Sequence, residues 1–440
     1  MRNPFKIAVA VCLPLAASAQ STWFGEGAGQ SATGTANTGY GYHAGMVSTG
    51  PYNSFAGAQA GEKTTSGDGN SMLGYRAGYN NTSGAWNTYL GAYAGQAGTN
   101  VFSNTLIGYT AGYSNATSFN TMAGFEAGYA NTTGGYNAFL GYRAFSQNTT
   151  ANYNTGAGRG AGYANTTGSS NVFAGGYSGN ANTTGSRNVF LGYRAGYKNT
   201  TGNDNVYLGS ESGPAAATAG TSSNNTFAGY RAGYNHASGN NNTFLGAYAG
   251  YNNAGGSGNV FIGYRAGYDE TGSNKFIVAT SDKTLMSGDF TTGHMQFNIL
   301  DCDGGADLAE RFDVAGEALP GTVVSIDPDH SGKLKVADTP YDRKVAGIIS
   351  GAQGLSPAMV LRQKGSLVDG EYDVALSGKV YCRATARGGA IRPGDWLTSS
   401  DIPGHGMKAT DEERAEGAYI GKALSRLENG EGLVLVLVGD

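Results

Sequence analysis

Proline and histidine are scarce, long apolar runs are almost absent, and each shortage removes a class of protein. Ten prolines in 440 residues, with glycine not falling at every third position, exclude a collagen helix. The five histidines (His43, His236, His294, His330 and His405) are scattered, and none stands at metal-ligand spacing from another histidine or a cysteine. No metal site and no cofactor is expected. Apolar residues do not recur at helical spacing, and each of the 74 glycines would cost a helix interior about 1 kcal/mol relative to alanine. A net charge of −4 offers no basis for binding nucleic acid. No glycine-rich stretch carries the Gly-Lys-Ser/Thr of a phosphate loop.

The one notable apolar run opens the chain. Arg2 and Lys6 precede an apolar stretch over 7–15, and Ala17-Ser18-Ala19 forms a small-residue cleavage site. Residues 1–19 therefore read as a secretory signal peptide, too short to span a bilayer, leaving Gln20 as the mature N-terminus. An exported chain without a transmembrane segment is expected. Cys12 falls inside this segment, so Cys302 and Cys382 remain, and an oxidising destination would allow a disulfide between them.

What is abundant is periodic. From Asn37 to Ala279 a central glycine recurs (Gly41, Gly57, Gly74 and onward to Gly263) in steps of 16 or 17 residues, with one step of 20 between Gly209 and Gly229. Asn188-Val189-Phe190-Leu191-Gly192-Tyr193-Arg194-Ala195-Gly196 shows the unit, and a polar turn such as Asn199-Thr200-Thr201-Gly202 follows it. A unit this short buries too little to fold alone, so identical units must stack, each pairing its backbone with neighbours about 4.8 Å away. The expected fold is all-β: a parallel β-solenoid or β-roll of about 15 coils of 16–17 residues, followed by a compact, mostly-β C-terminal domain. Phe55, Met72, Tyr89, Leu106, Met122 and Phe139 would form an interior ladder, and asparagine and threonine ladders would satisfy the turns. Asn131, Asn165, Asn182 and Asn199 match a glycosylation sequon but suit tight turns better.

This phrase and period resemble the head repeats of YadA-like trimeric autotransporter adhesins. The resemblance implies a homotrimer of left-handed β-rolls on a bacterial surface, associated with the outer membrane, that binds a host or matrix glycan or protein. The present repeat is slightly longer and richer in tyrosine, and it lacks a heptad stalk and membrane-anchor strands. A row of arginines at one repeat position (Arg76, Arg143, Arg194, Arg231 and Arg265), with tyrosines beside them, is the candidate binding ladder.

The solenoid is expected over 20–279, a transition that caps it over 280–302, and the globular domain over 303–440. Composition changes at that boundary, since 24 of the 32 acidic residues lie after residue 281. Val345 to Ile349, Lys379 to Cys382 and Leu433 to Val438 read as strands, and 411–417 as a short helix. The phrases Asp307-Leu308-Ala309-Glu310-Arg311-Phe312, Val345-Ala346-Gly347-Ile348-Ile349-Ser350 and Pro393-Gly394-Asp395-Trp396-Leu397 resemble C-terminal domains of phage tail-spikes or fibres, which implies an intramolecular chaperone, a class of which some members cut themselves off. Ser399 or Ser400 with Asp401 and His405 match a catalytic triad in residue type, but neighbours in sequence are not a triad in space. No catalytic residue is assigned. The expected function is that of a non-enzymatic exported fibrous protein, an adhesin or appendage, with the tail-spike-like protein as the alternative.

Overall fold

The structure is a computed structural model that describes residues 20–215, 219–281, 283–298, 306–362 and 370–439. Residues 1–19, read from the sequence as a signal peptide, and Cys302 lie outside the described residues. The chain divides into two units, Met1–Ile299 and Leu300–Asp440.

In the first unit, successive strands from Thr22–Phe24 to Lys275–Thr280 pair in parallel, each with the next. All but the last are three residues long, one per coil. The register is that of the repeat: Val189, Phe190 and Leu191 lie against Val206, Tyr207 and Leu208. Of each strand's three side chains the middle one points inward. Phe55, Met72, Tyr89, Leu106, Met122 and Phe139 are accordingly all buried, and the ladder continues through Phe173, Phe190, Tyr207, Phe227, Phe244 and Phe261. A parallel row of buried alanines (Ala77, Ala94, Ala111, Ala127) closes the narrow interior from the other side.

The central glycine is required by close approach. Gly192 has φ 132°, and a Cβ there would lie 2.6 Å from the Gly209 carbonyl group of the next coil. No L-residue with a side chain fits both demands.

Two buried asparagine ladders hold the polar corners. In the first, the side-chain oxygen of Asn188 accepts from the backbone N–H of Asn205 (3.0 Å), and its amide donates to the Gly202 carbonyl (2.8 Å). In the second, Asn199 donates to Asn182 (2.8 Å), Asn182 to Asn165 (2.7 Å) and Asn148 to Asn131 (2.7 Å). Asn131, Asn165, Asn182 and Asn199 are fully buried, so the sequon-like phrases are turns whose amides are engaged within the stack. Threonine hydroxyls add a third ladder, as where Thr183 donates to the Thr200 carbonyl (3.1 Å).

After the last parallel strand the chain reverses. Lys283–Asp289 runs antiparallel to Lys275–Thr280, and His294–Phe297 runs antiparallel to Lys283–Asp289. Lys275 Nζ sits 2.8 Å from Asp289 Oδ2, and that hydrogen bond holds the Asp289 carboxyl down at about 2.

The second unit is an 11-stranded sheet organised by one long strand, Tyr372–Thr385. Its first half pairs antiparallel with Asp307–Phe312 and its second half with Glu431–Val438. The apolar stretch at Lys379 to Cys382 is thus the middle of a strand of 14 residues, lengthened because two different partners continue its ladder. Val323, Ile348, Val380, Cys382, Leu397 and Val434 form the main core. The one α-helix among the described residues, Glu412–Ala415, is a single turn whose N-cap Asp411 accepts from the Arg414 N–H.

Candidate functional site

On the solenoid the two positions after the central glycine point outward and build a wide polar-aromatic face. The first carries tyrosine in many coils (Tyr75, Tyr109, Tyr142, Tyr193, Tyr230, Tyr264), all exposed. The second carries the predicted arginines. Arg76, Arg143, Arg194, Arg231 and Arg265 have φ between 54° and 59°, the left-handed region that glycine or asparagine would occupy more easily. The fold therefore holds arginine there against its backbone preference.

The structure places all five predicted arginines on one face and gives each a partner. Arg143 Nε lies 2.6 Å from Glu126 Oε2, and that hydrogen bond raises the Arg143 pKa further. Glu211 serves two arginines, Arg231 at 2.6 Å and Arg194 at 3.9 Å. Arg76 donates to Gln59 (2.8 Å). The guanidinium of Arg265 lies 4.3 Å from the Tyr268 ring centroid. Arg194 and Arg231 likewise stand over tyrosines three residues on, at 4.7 Å from Tyr197 and 5.1 Å from Tyr234.

In three coils the tyrosine moves one residue along. Gly91-Ala92-Tyr93, Gly175-Gly176-Tyr177 and Gly246-Ala247-Tyr248 replace the usual Gly-Tyr-Arg. The shifted rings meet their neighbours edge to face: Tyr93 with Tyr75 (5.2 Å, 84°) and Tyr248 with Tyr230 (5.2 Å, 88°). The aromatic row stays continuous while its geometry changes.

No family model matches this chain. Neither a curated protein nor a solved structure matches it.

A second outward row belongs to the strands. Leu73, Leu90, Ile107, Leu140, Leu191 and Leu245 are exposed along the sheet, next to a row of threonines and valines. The repeat pattern contained this signal, since the residue before the central glycine is so often aliphatic, but which side of a three-residue strand faces solvent follows from the coil's closure. Sequence reasoning also missed Arg159, which stands in the tyrosine position of its coil, and Arg187, which bonds Asp204 at 2.6 Å at another corner.

In the second unit the Ser400 N–H donates to the His405 carbonyl (3.0 Å), but the triad-like side chains bond other groups and not one another. Ser399 Oγ donates to the Thr339 carbonyl and Ser400 Oγ to Ile402, while His405 faces the Pro403 carbonyl and lies 3.9 Å from Glu431. Asp401 pairs with Arg387. Cys382 is fully buried, and burial pushes its thiol up to about 12. The proposed Cys302 pairing falls on a residue outside those described. A contact that sequence spacing could not reveal joins residues 43 positions apart: Ser350 Oγ donates to Asp307 Oδ1 (3.1 Å). Asp307 is buried, its Oδ2 has no partner among the described residues, and burial raises its pKa. Among the described residues no helix is long and apolar enough to cross a membrane.

Proposed function

We propose that this chain is a non-enzymatic exported fibrous protein, an adhesin or structural appendage at a bacterial surface, assembled as a homotrimer. The observation that carries the reading is the exposed aliphatic row along the strands. Each thin coil has room for one inward side chain per strand, so its leucines and isoleucines are left outside. An apolar stripe repeated along about 70 Å of stacked coils is larger than soluble monomers ordinarily expose. Packing copies along a common axis would cover it. The tyrosine and arginine rows would then face outward and repeat, so that weak contacts to a host or matrix ligand add through multivalency.

Light scattering of the purified mature protein, together with antibody labelling of the repeats on intact producing cells, tests this. A native mass of three chains and surface labelling are expected. A single-chain mass would remove the trimer, and labelling confined to permeabilised cells would remove the surface role.

The tail-spike-like alternative is favoured by one contact, the Ser350–Asp307 pair. A buried carboxylate with a raised pKa beside a serine hydroxyl is the kind of pairing in which the carboxylate takes the hydroxyl proton. Denatured mass spectrometry decides: a fragment pair broken near residue 300 supports self-processing, and a chain intact from Gln20 to Asp440 excludes it.

A further inference from the structure

One coil of the tyrosine and arginine face carries its arginine in the tyrosine position. At Gly158-Arg159-Gly160 the arginine occupies the usual tyrosine position, and glycine takes the left-handed position (φ 62°) that arginine holds in neighbouring coils. The missing side chain at Gly160 opens a notch of about 250 Å³, framed by Tyr142, Arg143, Arg159, Tyr163, Tyr177 and Asn180. The next coil is also reduced, because Gly176 stands where a tyrosine is usual and the Tyr177 ring leans over Gly160 instead.

The charge in this notch is unmatched. Arg143, Arg187, Arg194 and Arg231 each have a glutamate or aspartate within ion-pair distance. Among the described residues Arg159, like Arg76 and Arg265, has none, but only Arg159 stands beside the Gly160 notch, its guanidinium 5.6 Å from the Tyr142 centroid and 5.4 Å from that of Tyr177. Its planar fork of donors is thus held in place by aromatic faces and left without a carboxylate. Asn180 fixes the floor by donating to the Gly160 carbonyl (3.1 Å), which leaves its side-chain oxygen as an acceptor.

We propose that this notch binds the carboxylate of an acidic saccharide, one uronate unit at a time. The guanidinium receives the carboxylate through paired N–H···O bonds. The tyrosine rings meet the C–H face of the sugar ring, and Asn180 and the tyrosine hydroxyls meet its hydroxyl groups. The volume suits a monosaccharide unit and falls short of the space that drug-sized ligands occupy. This assigns a ligand class to the repeat face and so rests on the adhesin reading.

The test is calorimetric titration of the full-length mature protein with tetragalacturonate and with its methyl ester, which has the same shape without the charge. Binding of the acid, and at least tenfold weaker binding of the ester, is expected. Arg159→Gln should weaken binding at least tenfold, whereas Arg187→Gln, at an ion pair on another corner, should leave it unchanged. The double variant R159Y/G160R restores the Tyr-Arg pair of the other coils. It should stay folded by circular dichroism and lose binding, because the notch is filled. Equal binding of acid and ester, no binding of the acid, or binding untouched by R159Q overturns the site. No saccharide binding by the unaltered protein, with cell attachment present, would remove this site and leave the adhesin reading. Binding retained without any cell attachment would do the reverse.

Discussion

Gly156 and Phe145 show how single residues keep the interior continuous. Gly156 stands in the inward ladder position, where it supplies no side chain. Phe145 stands 11 residues earlier, at a turn position that is glycine in most coils, with φ 47°. Its ring turns inward and fills the gap, stacked at 4.5 Å on Phe139 and 5.5 Å on Phe173. Phe145→Ala should therefore cost about 3–5 kcal/mol, as for other buried phenylalanines. The swap F145G/G156F, which restores the ordinary rung, should recover most of that loss. Urea unfolding followed by circular dichroism measures both, and a swap no better than F145A would refute the compensation.

His236 makes a second residue-scale prediction. It takes an asparagine's place in the second polar ladder, with Nδ1 2.6 Å from the Asn253 carbonyl and Nε2 2.7 Å from that of Gly239. Burial lowers its pKa, outweighing the two carbonyl oxygens that pull it upward. The unfolded chain, with an ordinary value of about 6.5, then binds the proton first as pH falls. Stability contributed by neutral His236 is present above that value and is lost as pH drops below it. His236→Asn should flatten the dependence of melting temperature on pH between about 7 and 5. An unchanged slope would show that another group sets it.

At the scale of the element, the coil is defined by its contact with the next one. Gly192→Ala combines a forbidden φ with a Cβ pressed on Gly209, and should cost about 2–3 kcal/mol or more. Because a stack is coupled chiefly between neighbours, the loss should be local. Hydrogen exchange should show Val189–Leu191 and Val206–Leu208 losing protection while Ser71–Leu73 keeps it. Uniform loss along the whole stack would show a single cooperative unit instead. The element also explains what a sequence reader sees and misses. Asn188 and Phe190 announce themselves by period, because stacking demands identical residues. Arg159 and Tyr177 are visible only after every coil is aligned on its central glycine, since each is displaced by one position. The Ser350–Asp307 contact has no such signal, for it depends on how separate strands of the second unit meet.

At the scale of the molecule, the exposed aliphatic row should govern assembly. Leu90→Glu with Leu140→Glu places charges on the outward strand face without touching the buried ladder. A native mass falling from three chains to one, with an unchanged β spectrum, is the expected result. Assembly persisting in the double variant would place the contact elsewhere.

The sequence by itself determined the period, the parallel stacking and the identity of the buried ladders. A unit of this length cannot bury enough alone, and a stack tolerates only what can be repeated. It also determined that a second, differently composed unit follows. Only the tertiary structure decided that the aliphatic residues beside the buried rungs line up as one exposed row, because that depends on how each coil closes. The structure also decided that Phe145 substitutes for a missing rung and that Gly160 opens a notch beside an arginine without a counter-charge. Those features arise from side chains meeting across coils, where distance in space no longer follows distance along the chain.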